Sequence, residues 1–190
     1  MNISGVHTIT KGDTLEPLNT ILLKRNGTPY DLAAYTVKFF METDTGTSEI
    51  AETTTGVTAH PTQAFTADAT TDLLSCDDHG VEEGDQIEVA SSTALPTGLS
   101  ASTRYFAVNV TPNSFSLATR PGGAAIDITS AGSGTHTFWV VGSVQFDFLA
   151  ANVDTAGIYY GFFTLTSSSE KLTVPHGNQP IEVRIVEAGN

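Results

Sequence analysis

The feature that most constrains the fold is a change of pattern in the middle of the chain. Residues 1–62 and 139–190 read as two parts of one small β-domain, whereas residues 63–138 have strands and turns of their own. A module inserted into another domain is tethered at both of its ends, and this restricts its orientation. The sequence therefore predicts a discontinuous outer domain, 1–62 plus 139–190, that carries an independent module at 63–138.

The outer segments show the two-residue period of half-buried β-strands. Apolar side chains alternate with other residues over 37–41, over 144–148 and again over 181–185. Residues 158–165 are apolar on both faces, which is typical of a central strand, and Gly161 within them indicates a bulge or close packing. About seven short strands separated by turns predict an all-β fold with an immunoglobulin-like β-sandwich.

The insert has the pattern of a second, smaller all-β unit. Glycine- and proline-containing turns separate its short apolar segments. Six short strands in 76 residues are about the smallest β-barrel or sandwich that can form its own core. The predicted strands are 72–76, 86–90, 104–110, 114–118, 125–129 and 135–141.

The charge balance restricts the partners of the chain. Eight basic and 21 acidic residues give a net charge of −13, and the insert contributes −7 of it from nine acidic and two basic residues. We therefore expect neither nucleic acid nor an anionic membrane as a partner. The N-terminus lacks the pattern of a signal peptide, and no apolar run approaches the roughly 20 residues of a membrane-spanning helix. The chain is expected to be made in the cytoplasm and to leave it, if at all, as part of an assembly.

One stretch of the insert is a candidate cation site. Eight acidic residues lie between positions 68 and 88 with no Lys or Arg among them. Ca²⁺ takes six to eight oxygen ligands, and Asp77, Asp78, Glu82 and Asp85 are the candidates that could supply them. EF-hand spacing is absent, so a solvated acidic loop is the favoured interpretation and no cofactor is expected.

Other residues of the insert invite a chemical role but have simpler explanations. His79 and His136 could share a Zn²⁺ ion only if the fold brought them together, and turn and strand roles are favoured for both. Cys76 is the only cysteine, which excludes an intramolecular disulfide and suggests a small buried side chain. The serine run 167–169 lacks a nucleophile-elbow context, and the glycine pairs precede no helix. The sequence therefore predicts that the protein is not an enzyme.

Aromatic residues supply the candidates for an interface. Tyr159, Tyr160, Phe162 and Phe163 cannot all face one core. Either some of them meet a partner subunit on the other side of the sheet, or the strand is covered on both faces by its own chain. Tyr159 and Phe163 are therefore candidates for residues at an interface. Trp139 is a third candidate, because it lies where the chain returns from the insert to the sandwich.

The outer segments resemble the N-terminal immunoglobulin-like domain of the phage baseplate upper protein family. The resemblance covers about 60% of the chain and is carried by residues 9–14 (Ile-Thr-Lys-Gly-Asp-Thr), 22–32, 36–39, 142–146 and 156–160 (Ala-Gly-Ile-Tyr-Tyr), and by a final strand at 181–186. Members of that family are virion structural proteins, and their domain anchors to the tail core. We expect this chain to depart from that plan, without a long helical linker and without a C-terminal receptor-binding region.

The insert is similar to a module found in phage tail and virion proteins. The matching residues are His79-Gly80, 84–89, 95–99, 103–108, 113–117 and 134–136. The same pattern resembles the first catalytic cysteine half-domain of ubiquitin-activating enzymes, in fold alone and without their chemistry.

Together these resemblances imply a bacteriophage virion protein. The expected role is a non-enzymatic tail or baseplate component that forms a homo-oligomer with other phage virion proteins. The alternatives are a head or neck decoration protein and an adhesin module that binds a host-surface glycan.

Overall fold

The computed structural model describes residues 6–175 and 180–189, and the chain forms two compact units. One unit is Pro61–Val141, and the other joins the residues up to His60 with those from Gly142 onward. The sequence placed the boundaries after residue 62 rather than 60, and after residue 138 rather than 141. The all-β class is confirmed, since the only helices within the described ranges are two three-residue 3-10 turns. None of these described helical segments could cross a membrane.

Strands account for nearly all of the regular structure. In chain order they are β1 (Val6–Thr10), β2 (Leu18–Ile21), β3 (Thr36–Glu42), β4 (Ser48–Thr53), β5 (Val57–Ala59), β6 (Gln63–Asp68), β7 (Leu73–Ser75), β8 (Gln86–Ser91), β9 (Tyr105–Thr111), β10 (Ser114–Ala118), β11 (His136–Val140), β12 (Ser143–Phe146), β13 (Gly157–Thr166), β14 (Lys171–Val174) and β15 (Ile181–Val186).

The discontinuous unit has the two packed sheets of a sandwich. The larger sheet has the order β1-β15-β13-β3-β4, with β14 also paired to β13, and the smaller sheet has the order β2-β12-β5. β1 runs parallel to β15, and the other pairs are antiparallel. β13 is the central strand that the sequence predicted. The immunoglobulin-like topology remains a prediction, because these pairings do not establish it.

Aromatic rings from both sheets fill the core of the sandwich. Phe39 is fully buried, and its ring centroid lies 4.1 Å from that of Phe146 and 5.1 Å from that of Phe163. Gly161 leaves room for this ring, since a Cβ there would lie 2.9 Å from Cζ of Phe39. The register between β13 and β3 is continuous across Gly161. Close packing, rather than a bulge, explains this glycine.

The inserted unit is a closed six-stranded barrel. Its strands follow the order β10-β7-β6-β11-β8-β9, so the sheet has no free edge. Leu74, Ile87, Val89, Ala107 and Phe115 are completely buried inside it. A barrel of this size leaves an interior that side chains fill.

One predicted strand of the insert was wrong. Residues 125–129 form no strand, because their backbone bonds to isolated partners: the Ile126 N–H donates to the Leu117 carbonyl, and the Ile128 N–H to Oδ1 of Asp72. The sixth barrel strand is β6 instead. Sequence reasoning missed β6 because Phe65 is its only fully buried side chain.

The chain leaves the sandwich and returns to it at neighbouring points. Ala59 of β5 pairs with Val144 of β12, and the His60 N–H donates to the Ser143 carbonyl at 2.9 Å. Within the barrel, Gln63 likewise pairs with Phe138. Each unit therefore has its two connections side by side.

Candidate docking surface

The four candidate cation ligands lie in or beside two turns of the barrel, at 77–78 and 83–84. Within residues 6–175 and 180–189, no three His, Cys, Asp or Glu side chains form a group that could hold a metal ion. Oδ2 of Asp85 accepts the Glu82 N–H at 2.9 Å, and burial raises the pKa of this carboxyl. Asp78 adopts a positive φ of 50° and donates its N–H to Oδ1 of Asn113. Asp77 lies in the same turn region and offers its carbonyl oxygen to Sγ of Cys76 at 3.8 Å.

The two histidines of the barrel occupy separate packing sites. Nδ1 of His79 accepts the Val81 N–H at 3.0 Å, and its ring meets the Phe115 ring edge-on at 5.1 Å. Nδ1 of His136 lies 3.0 Å from Oγ of Ser91, and its Nε2 lies 3.0 Å from the Ala131 carbonyl oxygen. Both side chains are buried. Their contacts support the structural roles that the sequence favoured.

Cys76 is half-buried and has polar neighbours. Its Sγ lies 3.3 Å from Oε1 of Gln63, and burial raises the pKa of the thiol. A raised pKa keeps the thiol protonated near neutral pH and so makes it a poor nucleophile.

A surface pocket of about 320 Å³ lies in the sandwich beside β4. Ile50, Phe146 and the exposed Leu149 give it an apolar lining, and Glu49 is its only ionisable residue. A single carboxylate offers no acid–base pair.

Two of the predicted interface residues belong to the core, so their assignment was wrong. Tyr159 is 4% exposed and Phe163 is completely buried, because the odd-numbered residues of β13 face the smaller sheet. The Tyr159 hydroxyl donates to the Thr155 carbonyl at 3.0 Å, and burial raises its pKa. Trp139 is half-buried in β11, where it pairs with Glu88.

The even-numbered residues of β13 instead project from the other side of the sheet. Ile158, Tyr160 and Phe162 form a row there, and Phe162 stacks on Phe40 of β3 with ring centroids 5.0 Å apart. Ile158 is 52% exposed. We call this side of the larger sheet the outer face. Tyr160, Phe162 and Phe40 are half-buried, so this aromatic row is partly accessible to solvent.

The strands β1 and β15 also present apolar side chains on the outer face. Val6 pairs with Glu182, and Val186 pairs with Thr10, all pointing away from the core. Val6 is 48% and Val186 is 40% exposed. Glu182 of β15 lies between Val6 and Tyr160, so the apolar side chains of the outer face are interrupted by the ion pair of Glu182 with Arg184.

The charges on the outer face balance one another. The ionic side chains that project from it are Lys38, Lys171, Arg184, Glu42, Glu52 and Glu182. These are three basic and three acidic groups in a chain whose net charge is −13. The outer face is therefore a nearly neutral region of a strongly acidic protein.

An ionic cluster covers one end of the apolar row. Oε1 of Glu52 lies 2.8 Å from Nζ of Lys171, Oε2 lies 3.5 Å from Nζ of Lys38, and the Thr164 hydroxyl donates to Oε1 at 2.6 Å. The bond to Lys171 has the largest effect on the pKa of Glu52, and together these contacts lower that pKa to about 2. Thr164 is only 2% exposed although it points outward. The cluster therefore holds its own side chains in place over the sheet.

Sequence reasoning did not select Phe40, Ile158 or Val6 for this surface. The period of two separates Phe162 from Phe163, but it does not say which of the two faces the core, because residues 158–165 are apolar on both faces. The cross-strand pairing of Phe40 with Phe162 was the missing information.

Comparison with known proteins gave no match to any protein-family model, curated protein or solved structure.

Proposed function

We propose that the protein is a non-enzymatic structural component of a bacteriophage virion that docks through the outer face of its sandwich. The single observation that carries the docking role is a row on β13 made of the exposed Ile158 and the half-buried Tyr160 and Phe162, with the half-buried Phe40 stacked on Phe162. Contiguous apolar surface of this kind marks interaction sites on soluble proteins, whereas isolated apolar residues do not.

The virion assignment rests on the sequence resemblance of the outer segments to the phage baseplate upper protein family. That resemblance favours a tail or baseplate position. A head or neck decoration protein uses the same kind of docking, since both locations repeat a subunit around a symmetry axis.

The polar groups of the barrel support a role without turnover. Nδ1 of His79, both ring nitrogens of His136 and Oδ2 of Asp85 bond to nearby backbone and side-chain groups, as expected for residues that hold a fold together. The barrel also carries −7 of the net charge. Its acidic surface is suited to a solvent-facing position or to a basic partner.

The test is to locate the chain in purified particles of the phage that encodes it. Antibody fragments against the barrel are imaged on whole virions by electron microscopy. Label at the tail tip is the expected result, and label on the capsid or neck would replace the tail assignment by decoration. Absence of the chain from purified virions would overturn the proposal.

A matched pair of variants connects the surface to the role. Phe162→Asp places a charge in the aromatic row, whereas Leu15→Asp places the same charge on a side chain that is 86% exposed in a loop outside the row. In phage complemented with each variant, we expect incorporation to fall at least tenfold for Phe162→Asp and to stay normal for Leu15→Asp.

A further inference from the structure

We infer that the outer face binds a second copy of this chain, so that two sandwiches pack face to face about a two-fold axis. The inference deepens the proposed function and rests on it for the docking role of this face. It identifies a second copy of the chain as a partner of this face.

The distribution of exposed apolar residues points to one surface. In the described part of the chain, the large apolar side chains that are exposed are Val6, Leu15, Leu149, Ile158 and Val186. Three of the five, Val6, Ile158 and Val186, project from the outer face, which also carries the stacked and half-buried rings of Phe40 and Phe162. Soluble proteins normally scatter such residues, so this cluster is surface that a partner would remove from water.

The charge balance favours a second copy over other partners. Two chains of net charge −13 repel each other, and the balanced charges of the outer face reduce that repulsion where two such faces meet. Arg184 is bonded to Glu182, and Lys38 and Lys171 are bonded to Glu52, so the face carries its own counterions. A basic partner would gain more from the acidic remainder of the protein.

The geometry of the face suits an isologous contact. A two-fold interface uses the same patch on both subunits, and a sheet face that combines apolar side chains with ion pairs of its own can contact itself in this way. The face spans four strand spacings of about 4.8 Å and eight residue rises of about 3.3 Å along β13, or roughly 500 Å² per copy. Two copies would bury roughly 1,000 Å², which lies at the lower limit for specific interfaces.

A contact of this size predicts a weak dimer. We expect a dissociation constant in the micromolar range for the purified chain, because area at the lower limit must offset the entropy lost on association. Within a particle, where many copies are held close together, the same contact would be saturated.

The experiment is sedimentation equilibrium of the full chain at concentrations from about 1 to 500 μM. The wild type should change from monomer to dimer over this range, and Leu15→Asp should behave in the same way. Phe162→Asp should remain monomeric. Ile158→Asp is a second variant with less risk to the fold, because Ile158 is 52% exposed, and it should weaken the dimer at least tenfold. Circular dichroism and thermal unfolding verify that each variant is folded.

Two outcomes would overturn the inference: a wild type that is monomeric throughout, or a dimer that survives both Phe162→Asp and Ile158→Asp. Virion location separates this inference from the proposed function. A monomeric chain that is present in purified particles refutes self-association and leaves the virion role standing. A dimer that never enters particles refutes the virion role and leaves the contact standing.

Discussion

Replacing Gly161 by alanine tests the packing at the centre of the sandwich. The added Cβ would lie 2.9 Å from Cζ and 3.0 Å from Cε2 of Phe39. Phe39 has little freedom to move, because Phe146 stacks against it at 4.1 Å and Phe163 packs beside it at 5.1 Å. Overpacking a rigid core costs about 1–3 kcal/mol. Alanine recovers roughly 0.5–1 kcal/mol of backbone entropy relative to glycine in a strand, so we expect a net loss of about 1–2 kcal/mol.

Amide hydrogen exchange measured on separate peptides is the appropriate assay. Peptides from β3 and β13 should lose protection in Gly161→Ala, and peptides from the barrel provide an internal reference. Adding Phe39→Leu to Gly161→Ala should cost less than the sum of the two single changes, because the smaller side chain relieves the clash. Protection in Gly161→Ala equal to or above that of the wild type would refute the reasoning.

Two further substitutions test individual side chains. Glu52→Gln should remove the stability that the carboxylate supplies at pH values above 4.5, which is the pKa of Glu52 in the unfolded chain. Because the pKa in the folded protein is about 2, the difference in unfolding free energy between the wild type and the variant should close as the pH falls from 4.5 to 2. Glu52 is partly exposed, so the gap should be about 1 kcal/mol, measured by thermal unfolding against pH. Asp72→Ala removes the acceptor of the buried Ile128 N–H and should destabilise the barrel by about 1–3 kcal/mol. Urea unfolding followed by the fluorescence of Trp139 measures it, and Asp72→Asn, which keeps an acceptor, should lose less.

The sequence correctly predicted the strands whose own residues show which face is buried. The alternation at 37–41 and at 181–185 identified the buried residues correctly, because in a strand the side-chain period alone separates the two faces. Gly161 was also recognised as a site of close packing or a bulge, and only the structure identified Phe39 as its neighbour.

The errors arose where the answer depended on another strand. Tyr159 and Phe163 were assigned to an interface because the sequence of β13 is apolar on both faces, and only the second sheet decides which face is the core. Residues 125–129 have strand-like composition, but Asp72 and Leu117 engage their N–H groups singly. Contacts between residues so distant in sequence leave no local pattern.

The neighbouring connections of the barrel have a thermodynamic consequence for the sandwich. While residues Pro61–Val141 are unfolded, pairing β5 with β12 must close a loop of 81 residues (141 − 61 + 1), at an entropic cost of about 4 kcal/mol by the logarithmic law. Once Gln63 pairs with Phe138, the folded barrel holds the two ends together and most of that cost disappears. The folded barrel thus keeps the two connected ends of its host domain close together. Each unit can therefore raise the stability of the other through the chain connections alone.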